Sequence, residues 1–475
     1  MLKPALLSVI DETRIPLRRV MGLTTGILIV AGIMIGSGIF KKIAPMAESG
    51  LSANYILAAW VVAGIITMMG AISIAGLATM DSESGGQYEY IRMSFGNLTG
   101  FLFGWSCFTI IGSASIAALG FIFSQSANAL FYIPEPLYAY SNISIAGFIY
   151  PFASSGIKIF AIISIIALTW VNYLGTRNGA VLNNIFTLAK VLGILMLILL
   201  GLSYALPVTG ISTPLPDSSP RGSLFFNAFF AAMLSAFWAY DGWGTVTFLS
   251  GEIREPKRNV PIAIISGVIM VIILYLLVNY AYLRVLPVEQ LKAIGQDRIA
   301  AAEMAGIVMG KTGTVLIAIL IMISTFGSLN AIIIAYPRLY YKMAREKSFF
   351  RKAANVHPAY HTPYIALLYS MIWSCILVLS GTFDILTDMV IFASFFFYAL
   401  MAWALIKMKR KGLVTARVIG YPVVPVIFIL FSIVLVINTI WVQPKQSAIG
   451  IVLLLSGLPV YYYFKRKYRN LETIE

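Results

Sequence analysis

The chain has 475 residues, of which 59% are hydrophobic and only 11% are charged, and its mean hydropathy is +0.87. A soluble domain carries roughly 25% charged residues, so this composition excludes a soluble globular protein and predicts a membrane protein. The net charge of +15 does not indicate nucleic acid binding, because the Lys and Arg residues stand in short clusters between apolar runs, as in cytoplasmic loops.

Apolar runs of about 20 residues, the length that spans a bilayer, recur along the chain. They predict an all-α membrane protein with twelve transmembrane helices, which we number as segments 1 to 12: 22–47, 52–78, 97–131, 156–175, 180–205, 224–250, 260–286, 313–337, 363–381, 384–406, 422–442 and 447–464. No polar connection is long enough for a separate soluble domain, so residues 1–475 are expected to form a single transmembrane domain. The outer connection 287–311 is expected to form a short surface helix.

The Lys and Arg residues predict the orientation of the segments. With both termini inside, 24 of them fall on the cytoplasmic side and 9 outside, while Lys190 lies within a segment. Cytoplasmic loops carry the excess of positive charge, so both termini are predicted to be cytoplasmic, in the cell membrane. The first 22 residues lack a short apolar stretch with a small-residue cleavage site, so no cleaved signal peptide is expected.

The cysteines and histidines predict neither a disulfide framework nor a metal site. Cys107 and Cys375 lie in separate segments far apart in sequence, and a disulfide framework needs more cysteines than two. His357 and His361 are spaced i, i+4 in the polar stretch 356–362, without a cysteine or acidic neighbour. Two loop histidines are the favoured interpretation, and no cofactor is expected.

Segment 1 carries the run Gly36-Ser37-Gly38 near its middle. Glycine costs about 1 kcal/mol relative to alanine inside a helix, so an interruption is predicted there. A break exposes backbone groups that lipid cannot satisfy, and it is tolerated only where protein or a cavity supplies partners. Close helix packing through small residues is the alternative that this run alone leaves open.

Lys190 lies about nine residues past the predicted cytoplasmic start of segment 5, roughly 14 Å deep at 1.5 Å per residue. A charge near the midplane costs at least about 2.5 kcal/mol. The side chain is therefore expected to face the bundle interior and to meet carbonyls or hydroxyls, as a built-in cation. The alternative is a boundary error that places the lysine near the interface.

Segment 6 is interrupted at a matching place by Asp241-Gly242-Trp243-Gly244. Segments 1 and 6 begin two halves of five segments, and paired interruptions in two halves indicate a transporter's substrate site. Asp241 is either a proton-coupling acid or, more simply, an N-cap of the second half of the segment. Trp238 and Tyr240 are gate aromatics or core residues, and Trp238 is the preferred gate because it precedes the break directly.

A broken helix can hold both charged ends of a zwitterion. Free N–H groups at the start of its second half suit a carboxylate, which we expect at Ser37 and Gly38, and Gly36 and Asp241 complete the expected substrate-binding residues. Free carbonyls at the end of its first half suit an ammonium. The amine is expected to bind main-chain carbonyls of the two breaks, those of Met34, Ile35, Trp238 and Ala239. An α-amino acid carries both groups on one carbon and is therefore the predicted ligand.

Four stretches together resemble the amino acid–polyamine–organocation superfamily, and the resemblance covers nearly the whole chain. They are GIMIGSGIF (32–40), SESGGQYEYI (82–91), AYDGWGTVTFLSGEIREPKRNVPIAI (239–264) and STFGSLNAIIIAYPRLYYKMARE (324–346). The third is similar to helix 6 of the L-type amino acid transporter branch. In that branch a cytoplasmic Glu–Pro–Arg–Pro pattern follows helix 6, and here it corresponds to Glu252, Pro256, Arg258 and Pro261.

The resemblance implies a five-plus-five inverted repeat, with repeats at 22–205 and 224–406, two additional helices at 422–464, and helices 1 and 6 unwound at the substrate. It implies that Ser37 and Gly38 hold the carboxylate and that Trp238, where phenylalanine is common, is the gate aromatic.

The resemblance also matches Lys190 to a helix-5 lysine that takes the place of a sodium ion in sodium-coupled relatives. It gives Ser324 or Thr325 of segment 8 as the partner of this lysine, and it implies sodium-independent exchange.

Animal members of the branch pair with a glycoprotein heavy chain through a cysteine between helices 3 and 4. This sequence has no cysteine from Phe131 to Gly156. The expectation is a bacterial-type transporter that works alone, with small-molecule amino acids and the lipid bilayer as its partners.

The leading hypothesis is a sodium-independent amino acid transporter. It would be an exchanger of neutral L-amino acids or a uniporter, because no unpaired acid other than Asp241 lines the breaks. A proton-coupled symporter of the same fold is the alternative, and a membrane nutrient sensor that binds without transport is a further one. An enzyme is not indicated, because HExxH, a nucleophile elbow and an intramembrane acid pair are missing from the sequence.

Overall fold

The computed structural model describes residues 19–80, 85–145, 150–204, 219–294, 299–380 and 383–472. Within these ranges the chain forms helices joined by short connections, and an isolated bridge joins Met21 to Ile253. The prediction of an all-α fold is confirmed.

Nineteen α-helices occur in the described residues. They are α1 Leu23–Met34, α2 Gly38–Lys41, α3 Ile43–Glu48, α4 Ala53–Ala78, α5 Gly86–Phe95, α6 Asn97–Ser106, α7 Gly112–Asn128, α8 Ser155–Tyr173, α9 Thr176–Ser203, α10 Ser223–Tyr240, α11 Pro256–Val285, α12 Val288–Ala293, α13 Ala300–Met309, α14 Lys311–Arg345, α15 Tyr364–Ser380, α16 Phe383–Arg410, α17 Val423–Val442, α18 Pro444–Leu455 and α19 Gly457–Glu472. A π-helical turn, Cys107–Ile111, joins α6 to α7, and a 3₁₀ helix, Thr245–Glu252, follows the break in segment 6.

Eleven helical stretches of the described chain are long and apolar enough to cross a bilayer. They correspond to segments 1 to 8 and 10 to 12. Segment 9 forms α15, an apolar helix of 17 residues, which lies at the short end of the range for a spanning helix. The helices agree with the predicted twelve-helix membrane fold.

The predicted end of segment 8 is wrong. Segment 8 does not end at residue 337, because α14 continues to Arg345 with Pro337 inside it. The Arg338 guanidinium is buried there and donates from Nε to Glu252 Oε1 at 2.8 Å, so this charge does not end the buried part of the helix. The outer connection 287–311 contains α12, a short helix that exposes Glu289 and Gln290 as expected of a surface helix, and also α13, which buries Met304 and three alanines.

The two interrupted segments lie inside the bundle. α1 packs among α9, α11 and α14, and α10 packs against α4. α17 and α18 pack on α16 at the edge of the bundle, and Trp441 near the end of α17 is 86% exposed. Large apolar side chains on such an edge face lipid in a membrane protein. Segments 1 and 6 are therefore positioned to form an internal site.

Contacts between helix ends bring together the connections that the predicted orientation assigns to the same membrane face. On one side Arg254 N donates to Met21 O at 2.8 Å, and Arg92 lies 3.8 Å from Glu346. On the other side Ser52 N donates to Ser219 Oγ at 2.9 Å. Connections assigned to the same membrane face thus meet, while the assignment of that face to the cytoplasm stays a prediction.

Candidate functional site at two broken helices

Segment 1 is broken between Met34 and Gly38. α1 ends at Met34, the residues Ile35 to Ser37 leave the helical path, and α2 begins at Gly38. This is where the run of two glycines and a serine predicts an interruption. Gly38 has a packing reason as well, because a Cβ there would lie 2.7 Å from both Cα and Cβ of Ala239 in segment 6.

Segment 6 is broken directly opposite. α10 ends at Tyr240, Asp241 is extended, and Gly242 has φ of 99°, in the left-handed region that favours glycine. A Cβ at Gly242 would collide with Ile33 Cγ2 of segment 1. The two breaks therefore meet, and each depends on a glycine for its close approach to the other.

The Lys190 ammonium lies at the break in segment 1. The side chain is fully buried, and Nζ donates to Gly32 O, Ile35 O and Ser328 Oγ at 2.8 Å each. An ammonium has three N–H donors, so each has an acceptor. Two of these acceptors belong to the C-terminal end of α1, where the helix dipole presents partial negative charge.

The partner of Lys190 on segment 8 is Ser328, and the expectation of Ser324 or Thr325 is wrong. Ser324 Oγ instead donates to Ile35 O at 3.0 Å, and Thr325 Oγ1 donates to Ile321 O of its own helix at 2.7 Å. At about 100° per residue, positions 324 and 328 lie about 40° apart on the helix, whereas position 325 is turned about 100° from 324. The Thr325 hydroxyl bonds only within its own helix among the contacts described.

The Tyr275 hydroxyl of α11 links the two breaks, and the sequence analysis missed it. It lies 2.7 Å from Met34 O and 3.1 Å from Ala239 O. The sequence feature that could have revealed it is a tyrosine within the apolar run of segment 7, because a buried hydroxyl needs a hydrogen-bond partner. Tyr240 packs between the rings of Tyr275 and Trp60 at centroid distances of 5.1 and 5.6 Å, so it belongs to the core.

All four carbonyls expected to bind an amine have a donor within the protein. Ile35 O accepts from Lys190, and Trp238 O accepts from Asp241 N at 3.4 Å. The single proton of the Tyr275 hydroxyl is shared between Met34 O at 2.7 Å and Ala239 O at 3.1 Å. The physical reason is that carbonyls released by a helix break inside a membrane must have donors. A carbonyl oxygen has two lone pairs, so the expectation that these carbonyls also bind the substrate amine stays a prediction.

A cavity of about 30 Å³ lies between the breaks and segments 3 and 8. Its walls are formed by Ile33, Met34, Gly36, Ser37, Gly38, Ser115, Leu119, Trp238, Asp241, Gly242, Thr245, Ile332 and Tyr336. Six of the eight expected binding residues line it, while Ile35 and Ala239 do not. Roughly 10–15 Å³ is needed for one water, so this closed cavity must widen to admit an amino acid.

Two polar side chains at this cavity, Ser37 and Asp241, differ in their hydrogen bonding. The Ser37 hydroxyl is buried and has no hydrogen-bond partner among the described residues. Asp241 Oδ1 accepts a hydrogen bond from Tyr398 OH at 2.7 Å. Asp241 does not cap the second half of segment 6, because the cap position there is occupied by Gly244, which has no side chain to make the capping bond. The carboxylate instead ties segment 6 to segment 10.

Two interrupted membrane helices that meet at a buried cavity are the architecture of a secondary transporter. The model of the family described as amino acid permease matches residues 21–463, and the chain belongs to that family. It is 30% identical to the serine/threonine exchanger SteT of Bacillus subtilis over 95% of this chain and 98% of that protein. Its relatives are amino acid transporters, not enzymes.

Mammalian relatives match over nearly the same length. The human b(0,+)-type amino acid transporter 1 is 30% identical over 94% of this chain and 88% of its own length. The mouse large neutral amino acids transporter small subunit 2 is 28% identical over 94% of this chain and 81% of its own length. The similarity to amino acid transporters therefore extends over all the membrane-spanning segments.

The different bonds of Ser328 and Thr325 lead to a first prediction. We expect Ser328→Ala to lower amino acid transport about tenfold, because a hydrogen bond to a charged group contributes about 1.5–3 kcal/mol and 1.4 kcal/mol is tenfold. Thr325→Val is the control, since it removes a hydroxyl bonded within its own helix. Initial uptake rates in proteoliposomes check both variants, and equal rates would contradict the assignment of Ser328 as the partner of Lys190.

Proposed function

We propose that this protein is a sodium-independent exchanger of neutral L-amino acids that works by alternating access. The observation that carries the proposal is the Lys190 ammonium on the carbonyls of Gly32 and Ile35. It places a fixed cation at the C-terminal end of the first half of a broken helix, where carbonyls would otherwise attract a mobile cation. A second cation beside it would be repelled in the poorly screened interior.

The substrate is proposed to lie in the cavity between the breaks. Its carboxylate would accept from the Ser37 hydroxyl and from the main-chain N–H groups around Gly38. The ammonium would bind the second lone pairs of the carbonyls of Met34, Ile35, Trp238 and Ala239, of which Met34 and Trp238 line the cavity. Trp238 would be the aromatic gate, and Ser324 would hold the first half of segment 1 against segment 8 through Ile35.

The charges of the cavity support neutral substrates. Asp241 is the one acidic residue among its described lining residues, and that carboxylate accepts from Tyr398. No lysine or arginine lines the cavity in the described chain. The printed names of the relatives, a serine/threonine exchanger and a large neutral amino acids transporter subunit, agree with neutral side chains and with exchange.

We further propose that the protein works in the cell membrane with both termini cytoplasmic and without a disulfide-linked heavy chain. The excess of Lys and Arg on one side supports the orientation. The absence of cysteine from Phe131 to Gly156 in the sequence supports the second point. The division into repeats at 22–205 and 224–406 is part of the same proposal, supported by matching breaks in segments 1 and 6.

A proton-coupled symporter of the same fold is the second candidate. The observation that favours it is Asp241, a carboxylate at the cavity wall with a single hydrogen-bonded tyrosine. Such a group could bind a proton together with the substrate. Symport would drive accumulation in vesicles that contain no amino acid, and exchange would not.

Replacing sodium with choline tests the role of Lys190 in the proposal. We expect uptake of a neutral L-amino acid into proteoliposomes to be unchanged, because the fixed ammonium leaves no place for sodium at the break. Empty liposomes in the same buffers are the control for leakage. A fall of about tenfold or more, equivalent to about 1.4 kcal/mol, would refute sodium independence.

A further inference from the structure

A second and larger cavity lies between both broken segments and segments 10 and 11. Its volume is about 160 Å³, compared with about 30 Å³ at the helix breaks. Lys42 and Pro45 follow the break in segment 1, Phe230 and Leu234 belong to α10, and α16 and the end of α17 complete the wall. The described residues that line the two cavities are entirely different, so this is a separate space.

One wall of this cavity carries opposite charges. Lys42 is only 4% exposed, and its Nζ lies 3.3 Å from Thr387 Oγ1 on segment 10. Asp388, the next residue in the chain, lines the same cavity as Lys42. A cationic and an anionic side chain, with the amides of Asn438 and Gln443, thus share one small volume.

Gln443 adds an acceptor that needs a donor. Its Oε1 atom is buried and has no hydrogen-bond partner among the described residues. A buried polar atom left unpaired is destabilising, and an N–H donor from a ligand would remove that cost. Phe230, Leu234 and Leu435 add apolar lining to the cavity, which could cover an aliphatic group.

We propose that this cavity is a second binding site for a small zwitterion, an amino acid, outside the central transport site. The carboxylate would lie near Lys42, and the ammonium would lie near Asp388 and donate to Gln443 Oε1. The volume is sufficient, since a cavity of about 150 Å³ accommodates benzene. The choice of an amino acid rests on the proposed function.

Binding at this site would act on the transport cycle. The cavity spans the second half of segment 1 and the first half of segment 6 on one side and segments 10 and 11 on the other. A ligand that contacts both sides would hold them in the arrangement seen here. The apparent affinity of the second site should therefore change when the central cavity opens.

An ammonium beside an oxyanion also occurs in the headgroup of phosphatidylethanolamine, so the test must distinguish a free amino acid from a lipid headgroup. The glycerol backbone and acyl chains that follow such a headgroup would have to lie outside the volume of about 160 Å³. Binding is therefore to be measured in nanodiscs of phosphatidylcholine alone and in nanodiscs that contain phosphatidylethanolamine. A second site that is open only without phosphatidylethanolamine would belong to the lipid and overturn the proposal.

Counting bound amino acids tests the proposal directly. We expect the full-length protein to bind two molecules per chain of a radiolabelled neutral amino acid, with L-serine, L-alanine and L-leucine as the probes. Gln443→Leu and Asn438→Leu should each weaken the second site at least tenfold and leave the first unchanged. Gln125→Leu is the matched control, because this half-buried glutamine of α7 lines neither cavity, and it should retain both sites.

Each outcome distinguishes the second site from the central one. One bound molecule per chain in the unmodified protein, lost in Gly38→Val, would overturn the second site and leave the proposed function intact. Two bound molecules in both Gln443→Leu and Asn438→Leu would also overturn it. No binding of any of the three probes would contradict both proposals for these substrates.

Discussion

Lys190→Ala is expected to reduce amino acid turnover at least about tenfold while binding is retained. The change removes three buried hydrogen bonds from an ammonium, and bonds to charged groups contribute about 1.5–3 kcal/mol each. The carbonyls of Gly32 and Ile35 then lose part of their attachment to segments 5 and 8. A few kcal/mol is enough to shift a two-state equilibrium almost completely to one side, so inward- and outward-facing affinities should differ.

Lys158→Ala is the matched control for this variant. Lys158 is also buried, and its Nζ donates to Tyr150 O and Leu379 O, away from both breaks. We expect the control to lower thermal stability without changing the ratio of affinities at the two faces. Affinities measured from each face of oriented proteoliposomes decide the question. Normal turnover with equal affinities in Lys190→Ala would mean that the lysine is only an anchor.

Gly38→Val is expected to abolish amino acid binding at the central cavity between the breaks while the protein stays folded in detergent. A Cβ at Gly38 would lie 2.7 Å from Cα and Cβ of Ala239 and 3.1 Å from its N atom. These are mostly backbone atoms, so they cannot move aside like the end of a flexible side chain. The two breaks would have to separate, and the N–H groups proposed to hold the carboxylate would be displaced.

Gly22→Val provides the comparison, because a Cβ at Gly22 would meet no atom within 4 Å. Both variants add the same isopropyl group near or within segment 1. Size-exclusion chromatography and thermal unfolding report folding, and radioligand binding reports the site. Normal binding by Gly38→Val would refute the placement of the substrate at the breaks.

Much of the fold could be predicted from the sequence because its determinants are local. Apolar length defines a spanning helix, and glycine destabilises one at a specific point, so the segments and both breaks followed from the sequence. The end of segment 8 could not be predicted in the same way. Arg338 ends an apolar run, but Glu252, distant in sequence, neutralises it inside the protein.

The partners at the site could not be predicted because they come from several segments. Lys190 was recognised as a buried cation from its depth alone. The choice of Ser328 instead of Ser324 depends on how α14 is rotated against α1, which the sequence does not specify. The Tyr275 hydroxyl was missed because nothing in a single apolar run indicates that it meets the carbonyls of Met34 and Ala239.

Counterflow into proteoliposomes tests the central claim most directly. Vesicles preloaded with a neutral L-amino acid should take up the radiolabelled compound rapidly in sodium-free buffer, and empty vesicles should take up little, with or without an imposed proton gradient. Liposomes without protein provide the background. Proton-driven accumulation in empty vesicles, at the rate seen in preloaded ones, would contradict exchange and favour the symporter.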